Sequence, residues 1–297
     1  MKKIFFLINP KSGHKNYLQV KEVIEKYLKN LHSDSKIRIW EEKNQLEELI
    51  EESKNGQYDI VFAVGGDGTA HCVGKHFIGT NINLGIIPNG SGDGIARHFH
   101  IPKNVHQALE LIEKGYIQRI DTGLINDIPF IGFMGTGIDA KVAYMFSSLK
   151  KRGFLPYVKL ALSEYLKQKT EKYRISIDGE ETFEIEPQIL SIANTSQFGN
   201  GAYFSPGSSA IDGILQLCKL DVVPHIKLPL AIYKIFNATC HELKEYQRWD
   251  FKEVWIERNG EDFGHVDGES IKTGKKFCIK VQKKSLNLLV PKLGLNI

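Results

Sequence analysis

Three glycine-rich turns, each directly following a short apolar run, constrain the fold of this chain more than any other feature. The turns read Asn9-Pro10-Lys11-Ser12-Gly13, Gly65-Gly66-Asp67-Gly68-Thr69 and Gly90-Ser91-Gly92-Asp93-Gly94. The runs before them, at residues 4–8, 60–64 and 84–87, are typical of buried parallel strands. Between the first two runs, residues 18–31 repeat apolar side chains at helical spacing. This alternation predicts an α/β domain with a parallel sheet and helices on both faces.

The three turns are expected to meet, because ligands of an open parallel sheet bind beyond the carboxyl ends of its strands. Glycines let main-chain N–H groups approach a phosphate closely, and the next helix presents its positive end. One such turn alone is more often only a tight turn, but three at successive strand ends favour a shared phosphate site. The Walker pattern is absent, and no Gly-x-Gly-x-x-Gly opens the first βαβ unit, which disfavours a dehydrogenase.

Asp67 is the most informative single residue of these turns. A carboxylate among glycines that hold a phosphate would repel it, unless the carboxylate binds a metal ion or accepts a proton. The alternative is that Asp67 caps the next helix. A cap needs no glycines on both sides, so we favour the chemical role. The choice between metal ligand and base stays open.

The second half of the chain has a different rhythm, because strand-like runs dominate from about residue 121. The runs are residues 124–125, 129–134, 173–177, 182–193, 214–223, 251–257, 261–266, 277–281 and 286–290. Helical stretches are expected near residues 140–149, 155–167 and 226–236. The pattern predicts a mainly antiparallel β-sandwich domain. We therefore predict domains at 1–122 and 123–297, and leave open whether the last residues pack back on the first.

Composition narrows the class of protein. A length of 297 residues suits two domains, and a net charge of +4, from 39 basic and 35 acidic residues, is too small to argue for nucleic acid. The first apolar run is shorter than the roughly 7–15 residues of a signal core, and no run approaches the ~20 that span a bilayer. The four cysteines lack metal or redox spacing, so a cytoplasmic protein with reduced thiols is expected.

Taken in order, these motifs resemble those of the diacylglycerol kinase / sphingosine kinase catalytic superfamily of soluble lipid kinases. The residues at 64–69 resemble its Gly-Gly-Asp-Gly-Thr signature, those at 9–13 its Asn-Pro-x-Ser-Gly loop, and those at 85–97 its third loop. Further matches follow in family order: Asp121-Thr122-Gly123, residues 135–140, residues 194–206, Asp212-Gly213 and residues 265–269. The resemblance covers nearly the whole chain.

The resemblance implies an ATP-dependent kinase that phosphorylates a lipid hydroxyl, such as that of diacylglycerol or a sphingoid base. It assigns these residues to the nucleotide: Asn9, Pro10, Lys11, Ser12, Gly13, Gly65, Gly66, Asp67, Gly68, Thr69, Ala70, His71, Gly90 and Ser91. It makes Glu269 the proton acceptor, and it matches Ser209, Asp212 and the main chain of Ile214 to a structural Mg²⁺ site. ATP and Mg²⁺ are the expected cofactors. The expected partners are a lipid at a membrane surface, at the inner face, and possible second copies in a homodimer.

Three positions depart from the family pattern. Asp93-Gly94 stands where many diacylglycerol kinases carry Asn-Asp, and His71 stands where Asn is common. Trp40-Glu41 replaces a threonine usual in bacterial members. The first two changes affect lipid class and phosphate geometry, and the third concerns a contact on the adenine side.

The proposed mechanism holds the ATP phosphates in the three loops, with Mg²⁺ bound partly through Asp67 and with Glu269 taking the hydroxyl proton. Asp267 would orient Glu269 or bind metal through water, although Asp-Gly is also a strong hairpin signal. A basic and apolar patch at residues 150–157 is either a membrane contact or a solvated helix end. The rival functions are an NAD kinase, which shares Gly-Gly-Asp-Gly-Thr, and a non-catalytic nucleotide-binding module.

Overall fold

The computed structural model describes residues 2–13, 16–42, 44–137, 140–142, 145, 160, 163–167, 170–259 and 263–292. The chain forms two compact units. The first consists of Met1–Ile120 together with Lys284–Ile297, and the second of Asp121–Lys283.

The first unit is built on a parallel sheet. Its strands are β1 (Lys2–Ile8), β2 (Ser33–Ile39), β3 (Ile60–Gly65), β4 (Asn83–Pro88) and the last part of β16 (Lys276–Val290), in the order β2-β1-β3-β4-β16. All residues of β3 are buried, as are those from Ile4 to Ile8 in β1. Such continuous apolar runs are the mark of parallel strands covered on both faces.

The strand register places the three glycine turns at one edge of this sheet. Ile8 of β1 pairs with Val64 of β3, and Gly65 of β3 pairs with Pro88 of β4. The three strands therefore end at nearly the same level. The three glycine turns therefore begin side by side at this edge of the sheet.

The helices of the first unit lie between its strands in the chain. They are α1 (Tyr17–Leu28), α2 (Gln45–Asn55), α3 (Asp67–Gly74), α4 (Gly94–His98) and α5 (Val105–Lys114). The side chain of Asn16 caps α1 by accepting the N–H of Leu18 at 3.0 Å, and Asn104 caps α5 in the same way through Gln107 at 3.2 Å. These caps set where both helices begin.

The second unit is mainly antiparallel β. Its strands are β5 (Tyr116–Ile125, entering from the first unit), β6 (Ile128–Phe130), β7 (Phe133–Gly137), β8 (Tyr173–Ile177), β9 (Phe183–Ile185), β10 (Ile189–Ala193), β11 (Leu215–Leu220), β12 (Tyr246–Phe251), β13 (Glu253–Arg258), β14 (Phe263–Val266), β15 (Glu269–Lys272) and the first part of β16. Six of them form the sheet β12-β11-β10-β7-β14-β15, and β13 pairs with β8 and β16.

Alternate residues of the six-stranded sheet enter two different cores. Ile192 and Leu217 join a cluster with residues of β8, β13 and β16, such as Ile256. The intervening residues Ala193 and Cys218 join a second cluster, to which α6 (Leu228–Phe236) contributes. The side chains of a strand alternate between its faces, so this sheet is buried on both sides. The predicted fold class, an α/β domain followed by a β-sandwich, is confirmed.

Several predicted strand limits are wrong. The run at 129–134 is two strands, because the N–H groups of Ile131 and Gly132 bind the Asp267 carboxylate. The run at 182–193 breaks before β10, where Pro187 has no N–H to give to a ladder. The two runs at 277–281 and 286–290 form the single strand β16.

Two of the helices predicted in the second unit fall only partly within the described residues. Of the stretches at 140–149 and 155–167, residues 140–142, 145, 160 and 163–167 are helical, and the others lie outside the described residues. The basic patch at 150–157 also lies outside them. None of the helices among the described residues has both the length and the hydropathy of a membrane-spanning segment.

Candidate active site

Asn9 joins the first loop (residues 9–13) to the second loop (residues 65–69). Its Nδ2 donates to Oγ1 of Thr69 at 3.0 Å, and its Oδ1 accepts the N–H of Lys11 at 3.0 Å. The Ser12 hydroxyl donates to the main-chain oxygen of Asn9 at 2.8 Å. A carboxamide offers both donors and an acceptor, which is why one Asn can serve both loops.

Asn89 joins the third loop (residues 89–94) to the other two. Its N–H donates to the Gly65 oxygen at 2.8 Å, and its Nδ2 donates to the Ser12 oxygen at 3.3 Å. The side chain is buried. The three loops are thus one hydrogen-bonded cluster, which we call the loop cluster.

The glycines allow this close packing. Gly13 has φ +94°, and a Cβ there would lie 1.8 Å from the Asn89 oxygen. A Cβ on Gly90 would lie 2.5 Å from the Cα of Gly66. Both distances are far inside van der Waals contact, so the glycines serve the contact between loops as well as any ligand.

Asp67 clamps the second loop to the third. Its Oδ2 accepts the N–H of Gly94 at 2.9 Å, and its Oδ1 accepts the N–H of Ile95 at 2.9 Å. Asp67 also stands in the first turn of α3, where a negative charge is favoured by the helix dipole. The amides therefore stabilise the carboxylate that stands among the glycines predicted to bind phosphate. Its predicted role as metal ligand or base remains a prediction.

Asp93 closes the third loop on itself. It adopts a left-handed conformation with φ +50°, and its Oδ1 accepts the N–H of Gly90 at 2.8 Å. The side chain is 4% exposed, and its Oδ2 lies 3.4 Å from Nζ of Lys103. Burial raises the pKa of Asp93, and the positive charge of Lys103 partly opposes that rise. The loop is therefore set by a buried carboxylate.

The loop cluster presents main-chain amides, hydroxyls and one cation at the carboxyl edge of the sheet. Lys11 and Gly13 are exposed, and Ser12 and Ser91 are half-buried. The other predicted nucleotide residues also lie here: Asn9, Pro10, Gly65, Gly66, Asp67, Gly68, Thr69 and Gly90. Ala70 and His71 are buried within α3, so their side chains offer almost no surface to a ligand.

In the second unit, Glu269 follows a two-residue hairpin turn. Asp267 and Gly268 have φ +49° and +88°, and Val266 pairs with Glu269 across β14 and β15. Two positive φ values are the signature of a type I′ turn. The Glu269 side chain is exposed. The hairpin interpretation is therefore correct, and it leaves the predicted base at the start of β15.

Asp267 anchors that turn. Its carboxylate accepts three consecutive main-chain N–H groups, those of Ile131 at 2.7 Å, Gly132 at 2.7 Å and Phe133 at 2.9 Å. The side chain is nearly buried. Hydrogen bonds to an ionised acceptor are about twice as strong as neutral ones, so these bonds fix the turn at residues 267–268 to residues 131–133.

The predicted Mg²⁺ residues Ser209, Asp212 and Ile214 lie on one turn. Asp212 is exposed, and its Oδ1 accepts the N–H of Ile214 at 3.0 Å. Buried Asp121 holds the same turn by accepting the N–H of Gly213 at 2.6 Å. A carboxylate, a hydroxyl and a main-chain oxygen are donors that magnesium prefers. No group of three or more His, Cys, Asp or Glu that could hold a metal exists among the described residues.

Comparison with known families decides the relationship. The family described as "Diacylglycerol kinase catalytic domain" matches residues 3–125. The family described as "YegS C-terminal NAD kinase beta sandwich-like domain" matches residues 132–290, more than half of the chain. The chain belongs to the diacylglycerol kinase catalytic superfamily. The superfamily predicted from the motifs is thus confirmed.

Similar proteins cover most of this chain. A diacylglycerol kinase of Mycobacterium tuberculosis is 27% identical over 274 residues, covering 90% of this chain and 88% of the relative. The crystal structure of a diacylglycerol kinase from Bacillus anthracis str. Sterne superimposes with a TM-score of 0.73 at 19% identity, covering 98% of this chain and 97% of that one. An NAD kinase from Archaeoglobus fulgidus, solved in complex with ATP, gives 0.55 at 13% identity, covering 97% and 94%. Both solved structures share the fold of this chain.

Sequence reasoning missed three residues that shape this member of the superfamily. Asn89 and Asp93 lie in the predicted third loop, but neither was assigned a role in holding the loops together. Asp121 lies in a recognised motif, yet its bond to Gly213 joins residues 92 positions apart. Short polar residues beside glycines were the available signal, since Asn and Asp favour such turns.

Proposed function

We propose that this protein is an ATP-dependent lipid kinase that transfers the γ-phosphoryl group to the hydroxyl of a diacylglycerol- or sphingoid-base-like lipid. The observation that carries the proposal is the loop cluster, in which three glycine-rich turns are hydrogen-bonded together at the carboxyl edge of a parallel sheet. Membership in a superfamily of lipid kinases supports the acceptor class.

The loop cluster has the chemistry that a triphosphate needs. Phosphoryl transfer depends on positioning and charge stabilisation more than on covalent help. Main-chain amides of the three loops and the Ser12 and Ser91 hydroxyls would donate to phosphate oxygens, and exposed Lys11 would add a positive charge. Because Asn9, Asn89 and Asp67 already fix the loops to one another, little ordering would remain to be done when ATP binds.

Glu269 is proposed as the proton acceptor for the lipid hydroxyl. Its side chain is exposed at the start of β15, next to a turn that the buried Asp267 holds in place. A carboxylate in a fixed position is a suitable general base once the acceptor is bound. Asp267 is then a positioning residue, since its two oxygens accept main-chain N–H groups.

Magnesium is proposed as the accompanying ion. Asp67 would hold it in part, and Ser209, Asp212 and Ile214 would hold a structural ion in the second unit. When bound beside the phosphates, the ion would neutralise negative charge on them. Oxygen donors of the kind present on these residues suit this hard cation.

A lipid-array assay with labelled ATP tests the proposed function. The purified protein is incubated with diacylglycerol, a sphingoid base, ceramide, phosphatidylglycerol and a long-chain polyprenol, and products are identified by mass. NAD is tested in parallel. Phosphorylation of one lipid class, with NAD unmodified, is expected. Phosphorylation of NAD alone would make the protein an NAD kinase, and tight ATP binding without any product would make it a non-catalytic module.

Gly90→Ala tests whether the loop cluster binds ATP. The added Cβ would lie 2.5 Å from the Cα of Gly66 and would force the second and third loops apart. ATP affinity measured by calorimetry is expected to fall at least tenfold. The control is Gly79→Ala in the same unit, where φ is +74° but a Cβ would meet nothing within 4 Å. Equal ATP affinity in the two variants would show that the cluster does not bind ATP.

A further inference from the structure

An exposed apolar stripe runs along α6 in the second unit. It consists of Ile226, Leu230 and Tyr233, which are 90%, 50% and 63% exposed. Their spacing of i, i+4 and i+7 places them on one face of the helix and of the short 3₁₀ turn before it, His225–Lys227. We call these three residues the apolar stripe.

The opposite face of α6 is already packed. Ala231 is buried in the second core cluster, and Leu228 and Ile235 pack against that cluster. The helix is thus apolar on two sides and covered on one. A helix that is apolar all round is normally buried on all sides, and large exposed apolar patches mark interaction sites.

The patch continues beyond the helix. Val222 is 50% exposed, and with Leu166, His225 and polar residues that include Glu186 it lines a hollow of about 410 Å³. Leu166 is itself half exposed. The apolar stripe therefore forms part of a broader surface rather than an isolated ridge.

The charges around the stripe are compatible with a lipid headgroup layer. Residues 222–239 contain Lys227 and Lys234 and no Asp or Glu. Lys227 lies 3.6 Å from Glu245 and Lys234 lies 2.7 Å from Glu242, and both carboxylates come from the segment that follows. The Lys227 side chain is still 54% exposed. Its ammonium group can therefore meet an anionic headgroup while it keeps Glu245 as a partner.

Tyr233 fits the same environment. Its ring is apolar and its hydroxyl is polar, a combination that is favoured where one end of a side chain is dry and the other wet. Lysines likewise bury their alkyl stems and keep the ammonium group in water. An aliphatic stripe with a tyrosine and flanking lysines is the composition of helices that lie in the bilayer interface.

We propose that the apolar stripe docks on a bilayer, with Ile226 and Leu230 entering the headgroup–acyl boundary. The inference rests on the proposed function only in that a lipid kinase must reach an acceptor within a membrane. Because both lysines already have carboxylate partners, apolar contact provides most of the binding. Attachment therefore persists at raised salt and is only moderately stronger on anionic vesicles.

Vesicle co-sedimentation without ATP tests this surface. The full chain is mixed with phosphatidylcholine vesicles, with and without phosphatidylglycerol, and the bound fraction is measured. The double variant Ile226→Ser, Leu230→Ser is expected to bind about tenfold or more weakly than wild type, since each change removes several inserted carbons. The matched control is Leu18→Ser, an equally exposed leucine on α1 of the first unit, which should bind like wild type.

A second variant covers a failure of the double variant to fold. Ile226→Trp should bind at least as well as wild type, and its additional fluorescence should be quenched by lipids brominated near the headgroup. Absence of extra quenching would overturn the proposal. Wild-type binding by the serine double variant would do so too, as would a wild-type dimer that the same variant converts to monomers in sedimentation equilibrium.

Activity separates this proposal from the function on which it rests. With a short-chain diacylglycerol dissolved as monomers, the serine double variant should match wild type, whereas with the lipid in vesicles its rate should fall about tenfold. A protein that binds vesicles but phosphorylates no lipid would refute the function and keep the surface. A protein that phosphorylates the dissolved lipid but ignores vesicles would refute the surface alone.

Discussion

Asp67 in the first unit and Asp267 in the second stand in similar sequence settings, each followed by glycine, and both carboxylates accept main-chain N–H groups. Asp67 accepts two, from Gly94 and Ile95, and joins two loops. Asp267 accepts three in a row and is nearly buried. The first is a clamp between two glycine-rich loops, and the second fills a gap in a sheet ladder. The same residue type thus serves local geometry in one unit and stability in the other.

The largest expected effect is at Glu269, the residue that the Asp267 turn presents. Glu269→Gln removes the proposed proton acceptor and keeps the shape of the side chain. We expect kcat to fall by about a thousandfold, within the range for loss of a general base, while the Kd for ATP changes little. Steady-state kinetics and calorimetry measure both.

Glu257→Gln is the matched control, since Glu257 is an exposed carboxylate on strand β13. It should retain wild-type turnover. Turnover near wild type in Glu269→Gln as well would reduce the Asp267 turn to a structural hairpin and break the contrast between the two aspartates.

Asp267→Ala is expected to have the next largest effect, on stability. It leaves three main-chain N–H groups without their acceptor and places alanine at φ +49°. Buried donors without partners cost about 1–3 kcal/mol each, part of which water can recover, so we expect the free energy of unfolding to fall by about 3 kcal/mol. Urea denaturation measures it.

The companion variant Asp267→Asn keeps one acceptor oxygen and tolerates the left-handed conformation. Its loss of stability should be clearly smaller than that of Asp267→Ala. If both variants unfold at the wild-type urea concentration, Asp267 is not an anchor, and the break between β6 and β7 needs another cause.

Asp67→Asn tests the other side of the comparison. One carboxylate oxygen becomes an amide donor, so one of the bonds to Gly94 and Ile95 is lost, and so is the charge proposed to hold magnesium. We expect kcat/KM for ATP to fall about a hundredfold and the magnesium requirement to rise, with the free energy of unfolding lowered by about 1 kcal/mol. Asp34→Asn, an exposed aspartate of β2, is the control. A large loss of stability with unchanged kcat/KM would make the two aspartates equivalent.

How much of the fold can be predicted from the sequence depends on how far apart in the chain the interacting residues are. The buried runs of β1, β3 and β4 are continuous and apolar, so the sheet and the meeting of its three turns follow from local pattern. The break at Ile131 does not, because its N–H binds a carboxylate 136 residues later in the chain. The sequence predicts two strands in place of β16 because Lys283 and Lys284 interrupt the apolar pattern. In the structure the strand continues through them.

The same distinction applies to the site. Glycines marked the loop cluster correctly, since their conformational freedom is a local property. The partners of Asn89 and Asp67 come from other loops, and no spacing rule specifies which of several polar residues will hold them. The sequence indicates that Asp67 could cap the helix that follows it, α3. In the structure its carboxylate instead accepts N–H groups at the start of α4.

The smallest expected effect, and the sharpest test of how the third loop is held, concerns Asp93 and Lys103. Lys103→Met removes the cation 3.4 Å from a buried carboxylate. Because Lys103 is half exposed, we expect a loss of about 1 kcal/mol in the free energy of unfolding and a rise of about threefold in KM for ATP. Asp93→Asn added to Lys103→Met should restore both values, since asparagine can still accept the Gly90 N–H, tolerates φ +50° and carries no charge.

The effect of Asp93 and Lys103 on the free energy of unfolding should depend on pH in a defined direction. Burial raises the pKa of Asp93 in the folded state, so the folded protein holds this proton more tightly than the unfolded chain. Its contribution to stability is therefore lost as pH rises from the ordinary aspartate pKa through the raised one. Without the cation the pKa of Asp93 rises further, so Lys103→Met should match wild type in acid and fall behind only once pH passes the raised pKa of Asp93 in the wild-type protein. The added Asp93→Asn should remove the difference. Urea unfolding across the acidic range measures this. A deficit in Lys103→Met that is independent of pH, or that persists with Asp93→Asn, would mean that Lys103 supports the loop by packing and not by balancing a buried charge.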